Sequence, residues 1–220
     1  MTFGKLIGIT TVSLSGLFAS VSTLAQTDSI VDVRDGKTYK TSKIGSQWWL
    51  AQNLAYAPRI LSVSTGEPSV LLTKTDAYFC YRDSARLCER FGVLYRWETA
   101  MKACPSGWHL PSEMEYKTLR SSAGPNKHKS YTALIKGGAT GFDAVLGGGL
   151  FREPVWLYLR YPTEFEQMNR VGFYWTSTNV SKFRKYSRPG VGFVKSLKRV
   201  AIYKYSVPSA LSVRCIKDQE

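Results

Sequence analysis

Few residues in this chain have the types and spacing that catalysis or metal binding requires. The four cysteines form no Cys-x-x-Cys pair, and His109 and His128 are the two histidines that could complete a metal site. His109 lies between two apolar residues in a short crossing segment, which favours a hydrogen-bonded packing role. His128 lies between Lys127 and Lys129, where solvent exposure is the simpler interpretation. No Ser-His-acid arrangement stands out, so we predict no catalytic residue, no metal site and no cofactor.

The segment 182–204 is chemically the most unusual, because it carries eight basic residues and no acidic one. Aromatic side chains interleave with the basic ones, and the whole chain has a formal net charge of +14. Basic side chains pair with anionic oxygens, and exposed aromatic rings offer stacking surfaces. The residues that we predict to form a ligand surface are Lys182, Arg184, Lys185, Tyr186, Arg188, Lys198, Arg199 and Tyr203.

Several anionic partners would suit such a surface. Acidic polysaccharide, lipopolysaccharide or another component of a cell envelope would be attracted to it. Nucleic acid is disfavoured, because the chain is predicted to be exported and carries no recognition motif. The competing interpretation is a solvated face of a basic protein, since the sequence does not show that these side chains converge.

A glycine-rich segment, Gly141–Phe151, raises phosphate binding as a further chemistry. Its spacing matches neither G-x-x-x-x-G-K-[ST] nor the strand-to-helix turn of a dinucleotide site. We therefore expect tight turns and close backbone packing here.

The amino-terminal segment predicts export. Met1–Ala25 has one early lysine followed by a diluted apolar run, and Thr23-Leu24-Ala25 fits a small-residue cleavage site. An uncleaved anchor is the alternative, and no cysteine lies near the cleavage point to carry a lipid. No later apolar run approaches the roughly 20 residues of a membrane span. We predict a secreted or cell-surface protein whose mature part, residues 26–220, is a single domain.

Two short helices joined by a turn are predicted over Phe91–Leu119. Pro105 cannot continue the first helix, and Ser112 with Glu115 three residues later forms a capping box for the second. Glu113, in the first turn, suits the helix dipole. The first helix is indicated by an apolar stripe at i, i+3, i+4 and i+7, made of Trp97, Ala100, Met101 and Cys104.

The remaining pattern is that of short strands between turns. The last two strands, Val200–Tyr205 and Leu211–Ile216, are expected to pair with each other in antiparallel fashion. Earlier strands are predicted at Lys37–Lys43, as an edge strand, and at Gln47–Ala51, Phe173–Thr178 and Gly192–Val194. The residues that we expect in the core are Trp97, Met101, Trp108, Leu110, Leu119, Trp175 and Val213.

Taken together, several motifs resemble the Fibrobacter succinogenes major paralogous domain family, over about residues 30–218. The matching motifs, in order, are Asp35-Gly36-Lys37-Thr38-Tyr39, Trp48-Trp49-Leu50-Ala51, Asn53-Leu54, Cys80-Tyr81, Cys88, Gly92–Trp97, Ala100, Cys104–Ser112, Gly141-Phe142, Gly147-Gly148-Gly149, Tyr174–Thr178 and Ser212-Val213-Arg214-Cys215. This resemblance implies an α+β, C-type-lectin-like fold. In that fold, two helices pack on short twisted antiparallel strands with long irregular loops, and the two termini lie close together.

The cysteines of an exported chain are candidates for disulfide bonds, and four cysteines allow three pairings. We favour Cys80–Cys88, which closes a small loop, and Cys104–Cys215, which ties the first helix to the last strand. The second pair resembles the long disulfide that closes lectin-like domains.

The same resemblance suggests two activities, and the residues fit neither. Formylglycine-generating relatives use a copper-binding pair of cysteines near the carboxyl terminus, whereas Cys215 is the one cysteine beyond residue 104. Sugar-binding C-type lectins hold calcium through Glu-Pro-Asn and Trp-Asn-Asp triplets. This chain has Glu153-Pro154-Val155 and Trp175-Thr176-Ser177 instead, which lack the Asn and Asp oxygens.

We therefore predict an exported, non-enzymatic binding module of the cell surface, for polysaccharide or another anionic envelope component. The alternative is a structural or protein–protein interaction module of the envelope. Enzymatic activity of the formylglycine-generating kind ranks third.

Overall fold

A computed structural model of the chain describes residues 26–63, 76–151, 164–179 and 187–219. The predicted signal peptide, Met1–Ala25, lies outside these residues. The strands are β1 (Gln26–Val31), β2 (Thr38–Ile44), β3 (Gln47–Leu50), β4 (Tyr78–Phe79), β5 (Leu94–Arg96), β6 (Trp108–His109), β7 (Gly149–Phe151), β8 (Glu164–Glu166), β9 (Val171–Trp175), β10 (Ser187–Val194), β11 (Arg199–Ser206), β12 (Ala210–Ser212) and β13 (Ile216–Lys217). The helices are α1 (Ala85–Phe91), α2 (Trp97–Ala100), α3 (Glu113–Ala123) and α4 (Lys127–Leu134), with a 3-10 turn at Tyr81–Asp83.

The first sheet has five strands in the order β1-β2-β3-β13-β6. Its central feature is the pairing of Ile216, near the carboxyl terminus, with Trp49 in β3, so the two ends of the domain meet as predicted. The prediction of β2 as an edge strand is wrong, because β1 pairs along its whole length. Three polar or aromatic positions of β2 are buried: Tyr39, Thr41 and Ser42.

The second sheet has the path β11-β10-β9-β12-β5-β4, and β7 and β8 pair beside β12. The predicted final antiparallel pair is wrong. Strand β11 instead forms a hairpin with β10, while β12 lies antiparallel to β5 and parallel to β9. The physical reason is the short turn after Val194, which lets β10 and β11 pair locally, whereas β12 fills a gap in the middle of the sheet.

The helix predicted to begin at Ser112 is confirmed as α3, whereas the helix predicted before it is shorter than expected. The α2 helix ends after one turn, because the next backbone hydrogen bonds run from Lys102 to Thr99 and from Ala103 to Ala100. These i to i+3 bonds tighten the chain to about three residues per turn. Met101 therefore points outward and is 43% exposed, and its predicted burial is wrong.

The other core predictions are confirmed except for one. Trp97, Leu110, Leu119, Trp175 and Val213 are buried. Trp108 is half-buried, because β6 is the edge strand of the first sheet and its side chain packs against the core from one side.

The prediction of two helices missed α1 and α4. The start of α4 has a clear physical signal, since the Asn126 side chain accepts a hydrogen bond from the Lys129 N–H at 2.9 Å. Tyr131 and Leu134 pack from this helix into the core formed with α3, β9, β10 and β11.

Both favoured disulfides are present. Cys80–Cys88 has a Cα–Cα distance of 5.0 Å, and Cys104–Cys215 has one of 5.8 Å. The mixed α+β class is confirmed by the two sheets and four helices of the described residues. Within those residues, no helix is both long and apolar enough to cross a membrane.

The capping box of α3 yields a stability prediction. The Ser112 Oγ accepts from the Glu115 N–H at 3.2 Å, and the Glu115 carboxylate accepts from the Ser112 N–H at 2.7 Å. We expect Ser112→Ala to lower the free energy of unfolding by about 1 kcal/mol, because it leaves a backbone donor without its acceptor. Denaturant titration measures this, with Ser121→Ala, at the exposed far end of the helix, as the matched control.

A double variant tests whether the two side chains act as one cap. Each single variant, Ser112→Ala and Glu115→Ala, lowers the free energy of unfolding. The sum of these two decreases should exceed the decrease in the double variant. Strict additivity would contradict a shared cap.

Candidate functional site

The predicted ligand surface falls on the β10–β11 hairpin and on the residues just before it. Lys182, Arg184, Lys185 and Tyr186 lie outside the described residues. The other four members, Arg188, Lys198, Arg199 and Tyr203, are described and can be placed on the hairpin.

Strand register shows which of these side chains share a face. Arg188 lies opposite Tyr205, Tyr203 opposite Gly190, and Arg199 opposite Val194. Residues directly opposite each other point to the same side of an antiparallel pair, so Arg188, Arg199 and Tyr203 share one face. Lys198 lies in the turn before β11.

The described basic residues do not meet at one point. Val194, which pairs with Arg199, lies six positions after Arg188 along β10. At about 3.3 Å per residue, the two arginines are therefore roughly 20 Å apart. The Arg188 guanidinium stacks on the Trp97 ring at 4.5 Å from its centroid. The basic groups therefore border an elongated surface.

Aromatic rings fill the space between the two arginines. A Cβ at Gly190 would lie 2.8 Å from the Tyr205 ring, and one at Gly192 would lie 2.8 Å from the Tyr203 ring. The two glycines thus allow both rings to lie flat on the sheet. Half-buried rings of neighbouring strands continue this surface, which we call the aromatic strip and define as Phe151, Phe173, Tyr203 and Tyr205.

Close ring contacts hold the aromatic strip together. Phe151 and Phe173 have centroids 4.9 Å apart, and Phe173 and Tyr205 have centroids 5.5 Å apart, both edge to face. Burial raises the pKa of the Tyr205 hydroxyl above its ordinary value. Sequence reasoning identified Tyr203 but missed Phe151 and Phe173. Gly190 and Gly192 of β10 are diagonal neighbours of Tyr205 and Tyr203 in β11. This Gly-x-Gly and Tyr-x-Tyr pattern was the available signal for the tyrosine part of the strip.

His109 has the hydrogen-bonded role that its sequence context indicated. Its Nδ1 lies 2.6 Å from Asp218 Oδ1, and its Nε2 lies 2.8 Å from Glu115 Oε1. Burial lowers the pKa of His109, but the hydrogen bonds to the two carboxylates outweigh it and the net pKa is raised. This histidine joins α3 to the carboxyl-terminal segment. His128 is exposed, as expected.

The residues do not fit the copper or calcium chemistry of the resembling families. Cys215 is bonded to Cys104, and all described cysteines are in disulfides. Thr176 is fully buried, and its hydroxyl donates to the Pro189 carbonyl at 2.9 Å. Residues 153–155 lie outside the described part of the chain. Nowhere in that part do three His, Cys, Asp or Glu side chains gather as metal ligands.

The burial of the charged side chain of Arg214 was not predicted, although Arg214 belongs to one of the motifs that resemble the family. Arg214 is fully buried, and its Nη1 donates to the Leu50 carbonyl at 3.0 Å and also to the Phe142 carbonyl. Its Nη2 donates to Asn53 Oδ1 at 2.6 Å. Burial lowers the pKa of Arg214 from its usual high value. An arginine in a terminal strand gives no sequence signal of burial, because its acceptors come from distant segments.

Comparison with known proteins gives a family match. A sequence profile described as the Fibrobacter succinogenes major domain matches residues 43–217. No curated protein and no solved structure matches the chain.

The His109 contacts yield a prediction about pH. Because the pKa of His109 is raised on folding, its contribution to stability is complete below about pH 6.5, the ordinary value for histidine. That contribution is lost as pH rises through the raised pKa of the folded state. We expect the melting temperature of the natural chain to exceed that of His109→Gln at pH 6 and to approach it by pH 9. Scanning fluorimetry across this range checks the expectation, and a difference independent of pH would contradict it.

Proposed function

This chain belongs to the Fibrobacter succinogenes major domain family, and we propose that it is an exported, non-enzymatic binding module of the cell surface. Its ligand is a polysaccharide, and an acidic one fits best. The observation that carries the proposal is the aromatic strip with Arg188 near one end and Arg199 near the other.

The chemistry of the aromatic strip suits a sugar chain. Saccharide rings have apolar faces that pack on aromatic rings, and their hydroxyl groups bond to polar groups at the border. An elongated strip roughly 20 Å between its arginines can contact several sugar units in sequence. Acidic groups on those units would pair with the arginines through charge-assisted hydrogen bonds.

The proposal includes a finer fold assignment, the C-type-lectin-like arrangement. Two described features support it: the long disulfide Cys104–Cys215 and the pairing of the carboxyl-terminal β13 with β3 near the start of the domain. Treating residues 26–220 as one domain belongs to the same proposal. Export is supported by the two disulfides, which are typical of oxidising compartments.

A structural or protein–protein interaction module is the second candidate, and one observation favours it. Strand β1 is the edge of the first sheet, and Val31 at its end is 59% exposed. An exposed edge offers backbone donors and acceptors to a strand from another chain. A formylglycine-generating activity stays third, because a second cysteine near Cys215 is missing from the sequence.

Charge reversal tests the electrostatic part of the proposal. Replacing Arg184, Lys185, Lys198 and Arg199 with glutamate should abolish binding to an acidic glycan, because attraction becomes repulsion. Binding of the natural chain should also weaken as salt rises, since exposed charges are screened beyond about 8–10 Å. A glycan array and titration calorimetry measure both effects, while thermal unfolding confirms that the variant is folded.

Tyr203→Ala separates stacking from charge in the same experiment. If the aromatic strip binds sugar rings, this variant should lose affinity for neutral and acidic glycans alike and keep its salt dependence. A matched change at an exposed site away from the strip, Lys129→Ala, should alter neither. Absence of binding to any glycan at low salt would contradict the proposal and leave the structural module as the better account.

A further inference from the structure

A cleft lies outside the aromatic strip and shares no residue with it. This cleft has a volume of about 710 Å³ and is bordered by β2, the chain after β3, the end of α1 and the loop around Asp143. The volume is in the range of small-molecule sites, roughly 300–1,000 Å³. The cleft is therefore large enough for a ligand of the size of one or two sugar units.

The charges that line the cleft are mostly positive. Five cationic residues border it, whereas Glu89 and Asp143 are the acidic residues in its lining. The Asp143 carboxylate accepts the Gly137 N–H at 2.8 Å. The five cations are Lys37, Lys40, Arg90, Lys136 and Arg214.

The cationic side chains at the rim of the cleft differ in whether they already form ion pairs with other residues of the chain. The Lys37 ammonium pairs with Asp35 at 3.1 Å and donates to the Ala55 carbonyl at 2.8 Å. Lys40, Arg90 and Lys136 are exposed, and none forms an ion pair with a carboxylate of the described residues. These three residues border the cleft from three separate segments of the chain.

Arg214 places a further positive charge beneath the rim. Its hydrogen-bond acceptors among the described residues are neutral oxygens, and its Nε has no hydrogen-bond partner there. No carboxylate there lies within ion-pair distance of it. A charge in a medium of low dielectric constant is weakly screened, and a cleft lined by one sign of charge concentrates its field. Asn53, which lines the cleft, bonds to Arg214 through Oδ1 and to the Phe91 carbonyl through Nδ2.

We propose that this cleft is a binding site for a small ligand carrying an anionic oxygen group, such as the carboxylate of a sugar acid. Lys40, Arg90 and Lys136 contact the anionic group, and Arg214 attracts it from below without touching it. The site does not rest on the aromatic strip, because the two surfaces come from different parts of the chain.

Two matched double variants of the full chain test this site. Lys40→Glu with Lys136→Glu alters the cleft, and Lys127→Glu with Lys129→Glu makes the same change of net charge at exposed positions of α4, outside both the cleft and the hairpin. The probes are glucuronate and inorganic sulfate, with glucose as the neutral control. Affinity is measured from the rise in melting temperature with ligand concentration, since a ligand that binds the folded state stabilises it. Nuclear magnetic resonance locates the site through the side-chain amide of Asn53.

We expect glucuronate to stabilise the natural chain, to shift the Asn53 amide signal and to bind about tenfold or more weakly to the cleft variant. The α4 variant should bind it as the natural chain does, and glucose should have no effect. Stabilisation by sulfate with the same dependence on the cleft would show that the site recognises anionic oxygens in general, as proposed. Equal loss in both variants would mean that net charge alone attracts the probe, and this result would overturn the proposal. Failure of both anions to stabilise the natural chain would overturn it as well.

Discussion

The buried guanidinium of Arg214 is the interaction on which the junction between the two sheets depends. The residue follows β12 of the second sheet and precedes β13 of the first. Its hydrogen bonds reach the end of β3, the Asn53 side chain and the loop at 142–143. Its guanidinium also stacks on the Phe142 ring at 4.5 Å from the centroid. Burying an arginine is costly unless its donors are satisfied, and removing it would leave several buried oxygens without donors. One side chain thus determines how three segments meet.

Local signals were sufficient to predict some of these elements. The α3 capping box follows from Ser112 and Glu115, because each contact in the box lies within one turn. Both disulfides were anticipated, since four cysteines leave few pairings and the family resemblance favoured one of them. The misses are of a different kind. The position of β12 between β5 and β9, the protection of β2 by β1 and the burial of Arg214 all depend on residues far away in the sequence. The failure at Met101 has a local cause, because a 3-10 turn changes which positions share a face.

The two candidate surfaces also differ in how much of each was predictable from local sequence signals. The aromatic strip is largely a property of one hairpin, so half of its pattern was visible in the sequence through Tyr203 and the neighbouring basic residues. Its full extent needed β9, which pairs with β10, and β7, which pairs with β12, and both placements depend on tertiary contacts. The cleft over Arg214 draws its cations from four separate segments, and no window of sequence contains enough of them to be noticed. Net charge was a poor guide to either surface, because it reports how many cations exist and gives no information about where they meet.

The place of β13 between β3 and β6 has a consequence for how this protein is made. Synthesis from the amino terminus delivers β1, β2 and β3 first, whereas β13, which completes their sheet, emerges only after residue 215. The bond between Cys104 and Cys215, 111 positions apart, must also wait for that segment. The early strands therefore have an unpaired edge until β13 is made, and such an edge is exposed to aggregation and to proteases. A chain that stops before Ile216 would lack the strand that joins β3 to β6.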